Sequence, residues 1–290
     1  MDQAEQLESW RYTMSLVFLI LFVPLLLFNV YIFILGLRID HQKKKKKKFS
    51  GWNFTQLLLS LTFLLRSLSF VIRLSHGNKI AIYFLAFASS SCGLLVLVYY
   101  FYFTNLVYNV ASLNHEDFTN KKSFRISKKM LYFLLIFSNS LIFFTLLWQL
   151  FELQTLVKQN VEMEEILKKV SQANYLLYAA YTYVMVFGGY YGNKLYLIFK
   201  QPEINSNPRN SAVMLLLRQF NQAICFYIIL MLFSLTFTIS GALKDNIKLT
   251  FVASIINECG YFSCIILSIG IHKLFKTKKK IIENNAENNL

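Results

Sequence analysis

TMSLVFLILFVPLLLFNVYIFILGLRIDHQKKKKKK, residues 13–48, decides the fold. Its first part, 13–37, carries no charged side chain. That length suffices to cross the hydrocarbon core, which takes about 20 residues at ~1.5 Å of rise each. Backbone N–H and C=O groups find no water there, so the span is expected to be helical. The run Lys43, Lys44, Lys45, Lys46, Lys47, Lys48 follows, and Lys/Arg-rich loops stay on the cytosolic side of a membrane. One stretch therefore predicts both a membrane helix and the direction in which it points.

Outward from this stretch the same alternation repeats. Further apolar runs occupy 53–73, 80–111, 130–151, 174–199, 214–243 and 250–272, which predicts an all-α bundle of seven transmembrane helices. The runs 80–111 and 214–243 exceed a bilayer's thickness, so tilt or helical extension is expected there. Arg38 and the lysine run, the five basic residues of 112–129, Lys200, Arg209, and Lys273, Lys276, Lys278, Lys279 and Lys280 fall on one side. The opposite side has only Arg11, Arg73, Lys79, Lys158, Lys168, Lys169, Lys244 and Lys248. This asymmetry places the N-terminus outside or in a lumen and the C-terminus in the cytosol. The expected organisation is an outer N-terminal segment 1–12, a membrane domain 13–272, and a cytosolic basic and polar tail 273–290.

Composition narrows the function classes. The chain is 290 residues long and 56% hydrophobic, with loops too short for a second folded domain. Its formal charge of +15 is concentrated in the cytosolic segments rather than spread over a soluble face, so no nucleic-acid partner is expected. Basic juxtamembrane segments instead attract the bilayer's anionic lipids, at about 1 kcal/mol per residue near the surface. The acidic start MDQAEQLESW argues against a cleaved signal peptide and against a mitochondrial presequence. Cys92, Cys225, Cys259 and Cys264 all lie in apolar runs, with no Cys-x-x-Cys spacing for a metal and no disulfide framework. Asn53-Phe54-Thr55 reads as a glycosylation sequon, but it sits at the expected cytosolic mouth of the second helix and should be unmodified.

Several local patterns have both a structural and a functional reading. The Lys43–Lys48 run sets topology as a solvated loop, or it binds anionic lipid or an acidic partner. Ala88-Ser89-Ser90-Ser91-Cys92-Gly93 suits a seam of close helix packing. So does Gly188-Gly189-Tyr190-Tyr191-Gly192, where a kink is the other option. Lys194 and Arg218 lie near enough to the cytosolic end to snorkel. The outer loop 153–172 mixes apolar and charged residues with no clean amphipathic face.

Arg66 and Glu258 are different. Arg66 stands 13 residues from Asn53 at the start of the second helix, about 20 Å deep at 1.5 Å per residue. Glu258 stands 14 residues before His272 at the end of the seventh, about 21 Å deep. A charge near the bilayer centre costs at least ~2.5–3.5 kcal/mol, so it must face the bundle interior and find a partner. Opposite signs at equal depth predict an intramembrane ion pair. It serves either architecture or a ligand, ion or switch site, since intramembrane charges are functional candidates by default.

Four segments resemble the tobamovirus multiplication protein family, seven-helix membrane proteins similar in topology to G-protein-coupled receptors. They are Gly51-Trp52-Asn53-Phe54 through Arg66 to Val71-Ile72-Arg73, then Leu94 to Ser112, then Gly188-Gly189 through Leu197-Ile198-Phe199 to Pro202, and the acidic position Glu258. The chain departs from the family at Leu65, where a Gly precedes the helix-two Arg, and at Cys259-Gly260-Tyr261, where a Pro often follows the acid. The resemblance implies an endomembrane or vacuolar protein, more than a plasma-membrane one, that recruits cytosolic partners such as small GTPases, and it does not imply a catalytic activity. Rhodopsin-type marks are missing: Val107-Tyr108-Asn109 stands where an Asp-Arg-Tyr triplet would end helix three, and no Asn-Pro-x-x-Tyr closes helix seven.

The expected function is therefore a non-enzymatic receptor-like protein or scaffold, with no cofactor. A transporter or channel lined by Arg66 and Glu258, or a structural subunit of a membrane complex, is the alternative. The four histidines, His41, His76, His115 and His272, are scattered at loops and helix ends and suggest no catalytic or metal set.

Overall fold

The computed structural model describes residues 3–42, 50–76, 208–243 and 247–287, with further positions between 91 and 106, at 140 and 151, and between 186 and 200. Every element among them is helical: α1 (Gln3–Gln42), α2 (Gly51–His76), α3 (Pro208–Leu243), α4 (Ile247–Cys259), a 3-10 turn (Gly260–Phe262) and α5 (Ser263–Glu287). Four stretches are long and apolar enough to cross a membrane: Ser9–Gln42, Gly51–Ser75, Ser211–Gly241 and Phe251–Lys280. They correspond to the runs expected at 13–37, 53–73, 214–243 and 250–272. The spans expected at 80–111, 130–151 and 174–199 lie largely outside the described residues. Lys43–Lys48 and the loops 112–129 and 153–172 lie outside them entirely.

Local chemistry explains where the helices start. Ser50 precedes α2 and accepts the backbone N–H of Asn53 on its hydroxyl at 3.3 Å, satisfying a donor that has no partner within the helix. Pro208 opens α3, where its missing N–H costs nothing and its fixed φ suits the first turn. Pro24 lies inside α1 without ending it, as membrane helices tolerate. At 36 residues, α3 is about 54 Å long and extends well beyond a bilayer's core.

Side-chain contacts fix the direction of each helix. Phe22 meets Tyr261, Asn29 meets Ser268, and Phe28 meets His272, so α1 runs parallel to the α4–α5 span. Gln56 meets Asn29, and Phe63 meets Phe22, so α2 runs antiparallel to α1. The Ser234 hydroxyl donates to Ala253 O at 3.1 Å, and Gly260 lies against the Tyr227 ring, so α3 also runs antiparallel to the last span. The described positions from 91 to 106 are helical and lie against α2, α3 and the last span. The rings of Trp52 and Tyr102 meet edge-on at 5.1 Å, Tyr102 stacks on Phe220 at 5.7 Å, and the Tyr99 hydroxyl donates to Ala223 O.

Glycine permits close approach at several helix contacts. A Cβ on Gly36 would collide with Asn53 Oδ1 and with the Phe275 ring, so α1, α2 and α5 converge where a side chain cannot fit. Asn53 has little freedom to withdraw, because its amide donates to Asp40 Oδ2 at 2.6 Å. Gly192 lies against Asn221 and Phe220 of α3, which is the close packing that the glycine cluster suggested.

Candidate functional site

The buried centre of the bundle is an ion pair. Arg66 on α2 and Glu258 at the end of α4 are only 6% and 4% exposed, too little for either head group to reach water. Arg66 Nε donates to Glu258 Oε2 at 2.8 Å, and Arg66 Nη2 meets Glu258 Oε1. The planar guanidinium thus engages both carboxylate oxygens, the fork geometry that a lysine ammonium could not reproduce. Aromatic faces complete the enclosure. The guanidinium carbon lies 5.1 Å from the Phe70 centroid and 5.4 Å from that of Tyr261. A cation over a ring face gains further electrostatic stabilisation, of about 2 kcal/mol when desolvated.

The span carrying Glu258 is not one regular helix. Directly after Cys259, the residues Gly260, Tyr261 and Phe262 wind as a 3-10 turn before α5 begins. Sequence reading anticipated an unbroken run over 250–272. Hydropathy cannot register a tightening from four-residue to three-residue hydrogen bonding, so the break had no signal there beyond Gly260 itself. Tight side-chain bonds hold it: the Ser263 hydroxyl donates to Gly260 O at 2.6 Å, and Tyr261 and Ser91 share a hydrogen bond at 2.9 Å. A 3-10 stretch inside a helix often marks a hinge.

A second polar layer lies ten residues along α2 from Arg66, about 15 Å away. Gln56 Nε2 donates to Asn29 Oδ1 at 2.6 Å and to Asn29 O at 3.0 Å. The Ser268 hydroxyl donates to the same Asn29 Oδ1 at 2.7 Å. Three helices are thereby joined through one amide oxygen. Nearer the end of α2, Asp40 Oδ2 accepts from Asn53 Nδ2 and from the backbone N–H of Ser50, which ties α1 to the start of α2. Asn105 donates to Thr55 Oγ1 at 2.9 Å on the same level. Gln56 Oε1 and Ser67 Oγ are buried without a hydrogen-bond partner. Eleven residues apart, close to three whole turns, they share one face of α2.

Asn29, Gln56 and Ser268 were not singled out from the sequence. None is charged, and isolated amides and hydroxyls are common in membrane helices. Their mutual depth was the available signal. Counted from the same helix ends as Arg66 and Glu258, Gln56 and Ser268 are three and four residues in.

The basic end of α5 is helical rather than a loose tail. Lys279 and Lys280 are exposed, whereas Lys278 is half-buried with its ammonium 6.0 Å from the Phe275 centroid. Lys279 and Glu283 pair at 3.5 Å across one turn, both about half exposed. Lys43–Lys48, expected to share this basic face, lies outside the described residues. Arg218 is exposed on α3.

No protein-family model matches the chain, and no curated protein or solved structure matches it either.

Proposed function

We propose that the protein is a seven-span, receptor-like membrane scaffold, with its N-terminus outside or lumenal and its C-terminus cytosolic, that recruits cytosolic partners without catalysing a reaction. The observation that carries this reading is the placement of the Arg66–Glu258 pair directly beside the 3-10 turn. A buried charge pair holds α2 to the last span, and the turn gives that span a place to bend. From the turn, α5 runs 25 residues, about 37 Å, and carries the basic residues Lys278–Lys280 roughly 25 Å along. A change at the pair would move a rigid rod whose far half carries the charge. Two alternative arrangements of a packed element are what a switch needs.

Helix direction supports the span number. α2 and α3 run parallel, so an odd number of crossings must lie between them if each helix spans the bilayer. The helical positions from 91 to 106 account for one, leaving an even number for 107–207. The apolar runs 130–151 and 174–199 fit that remainder. The basic asymmetry supports the orientation. The partner class, including small GTPases, and the endomembrane or vacuolar setting come from the resemblance to the tobamovirus multiplication protein family. Lys43–Lys48 and Lys278–Lys280 supply a surface suited to acidic partners and anionic headgroups.

Proximity labelling from a C-terminal tag tests the reading. The wild-type chain is expected to label a reproducible set of cytosolic proteins. The Arg66→Leu/Glu258→Leu chain, where it reaches the same membrane in equal amount, should lose that set. An unchanged set would leave the pair a purely architectural element. Labelling of lumenal proteins would reverse the topology.

A transporter or channel is the second reading, favoured by the unpartnered Gln56 Oε1 and Ser67 Oγ on one face of α2. Ion flux through the purified protein in liposomes, abolished by Glu258→Gln, would favour it over the scaffold.

A further inference from the structure

Two polar layers pin the last span at two depths. Glu258 at the end of α4 engages Arg66 of α2, and Ser268 in α5 donates to Asn29 Oδ1 of α1 at 2.7 Å. Between them lies the 3-10 turn Gly260–Phe262. An α-helix advances about 100° and 1.5 Å per residue, whereas a 3-10 helix advances about 120° and 2.0 Å. The three residues of tighter winding therefore turn α5 by about 60° relative to α4 and lengthen the span by about 1.5 Å. That offset decides whether both layers can be satisfied together. With Glu258 fixed on Arg66, a regular α-helix would carry Ser268 about 60° around the axis, out of reach of the Asn29 amide oxygen.

The side chain that holds this winding is Ser263, which is fully buried. Its hydroxyl donates to Gly260 O at 2.6 Å, and its backbone N–H points to the same oxygen, three residues back. In an α-helix Gly260 O would instead take the N–H of Cys264, four residues on. The Ser263 hydroxyl thus occupies the acceptor that α winding needs. A serine that bonds back to the preceding turn competes with the helix ladder and bends it. The backbone itself sets little barrier. Cys259 (φ −60°, ψ −23°) and Ser263 (φ −57°, ψ −30°), which flank the turn, are both right-handed helical, so rewinding takes only small changes of torsion.

We propose that Ser263 is a latch: its hydroxyl keeps Gly260–Phe262 in 3-10 winding, and that winding keeps the two polar layers in register. The span then has two arrangements. Latched, it satisfies Glu258 and Ser268 together. Unlatched and wound as a continuous α-helix, it satisfies one layer only. The charge pair is the one retained, because an unpaired buried charge costs more than one lost hydroxyl bond. α5 accordingly turns about its own axis and swings its exposed Lys273, Lys276 and Lys280 to a new bearing. This motion rests on the switch reading of the pair only for its use, since the winding exists with or without a recruited partner.

The test is a distance across the turn in the full chain. Ketone-bearing amino acids at the exposed positions Ser254 and Lys276 carry nitroxide labels without engaging the native cysteines, and pulsed electron resonance measures their separation. Both labels sit on one span, so the distance reports its winding whichever half moves. For labels ~8 Å from the axis, rewinding the turn should shorten it by about 3 Å. Ser263→Ala, which removes an oxygen and no carbon, should show the shorter distance. Ser263→Thr, which keeps the hydroxyl, should show the parent's. Thermal unfolding reads the register: Ser268→Ala should lower the melting temperature of the parent and leave that of Ser263→Ala unchanged, because there the bond to Asn29 is already gone. A Ser263→Ala distance equal to the parent's, a Ser263→Thr distance as short as the alanine's, or a Ser268→Ala effect equal in both backgrounds would overturn the proposal. A shortened distance with an unchanged set of labelled neighbours would uphold the latch and contradict the recruitment reading alone.

Discussion

α1 and α2 are neighbours of similar apolar character, yet they do opposite things. In the most apolar window of α1 only 22% of residues are buried, and α3 is similar at 17%, whereas half of the α2 window is buried. α1 exposes Leu16, Ile20, Leu27 and Tyr31, residues a soluble protein would hide. α2 buries Gln56, Ser60, Thr62, Arg66, Ser67 and Ser69, residues a soluble protein would show. Lipid is as apolar as a leucine side chain, so hydrophobicity does not drive helices together there. Polar groups do the sorting, because hydrocarbon offers them no partner and the bundle interior does. The inside of this protein is therefore marked by its polar residues. The contrast predicts that substitutions on the polar face of α2 matter far more than substitutions on the apolar face of α1.

The largest effect is expected at Arg66. Arg66→Leu should lower stability by about 3–5 kcal/mol, since Glu258 is left buried without its counter-charge. Thermal unfolding in detergent reads this directly, and a loss comparable to that of an exposed leucine on α1 would break the contrast. Next comes the crossing of α1, α2 and α5. Gly36→Leu should cost about 1–3 kcal/mol, because Asn53 and Phe275 occupy the space and Asn53 is held by Asp40. A tolerated Gly36→Leu in the same unfolding assay would mean that the three helices are not so closely joined.

Smaller effects sharpen the comparison. Ser268→Ala removes one hydrogen bond to Asn29 and should cost about 0.6 kcal/mol, the average for such bonds within membranes, and no more than ~1.7. Denaturant titration in mixed micelles has the resolution to see it. Least of all, Lys279→Gln should change stability by less than about 0.5 kcal/mol, because its pair with Glu283 is exposed and screened. Leu27→Ala on the exposed face of α1 belongs in that bottom group, with melting expected within error of the parent.

Much of this was legible in the sequence, for definite reasons. Span positions followed from the length of the apolar runs, so 13–37, 53–73, 214–243 and 250–272 all correspond to helices long enough to cross a membrane. Arg66 and Glu258 stood out because charge is rare at that depth and each could be measured from its helix end. Asn29, Gln56 and Ser268 did not stand out, since an uncharged polar residue costs little enough to appear anywhere in a membrane helix. The 3-10 turn at Gly260–Phe262 was hidden because it changes hydrogen-bond register and leaves hydropathy alone. The contact between the Trp10 and Phe251 rings was invisible for a different reason: it joins residues 241 positions apart that only the parallel course of α1 and the last span brings together.

A double-mutant cycle on Arg66 and Glu258 tests the central claim, that one buried pair fixes α2 against the last span. Arg66→Leu, Glu258→Leu and the double variant are compared with the parent by denaturant titration in mixed micelles. Each single variant should be strongly destabilised, and the double variant should lose clearly less than the two singles together, because it leaves no buried charge unpaired. A double variant whose loss equals the sum of the singles would contradict the account, showing that the two residues act independently.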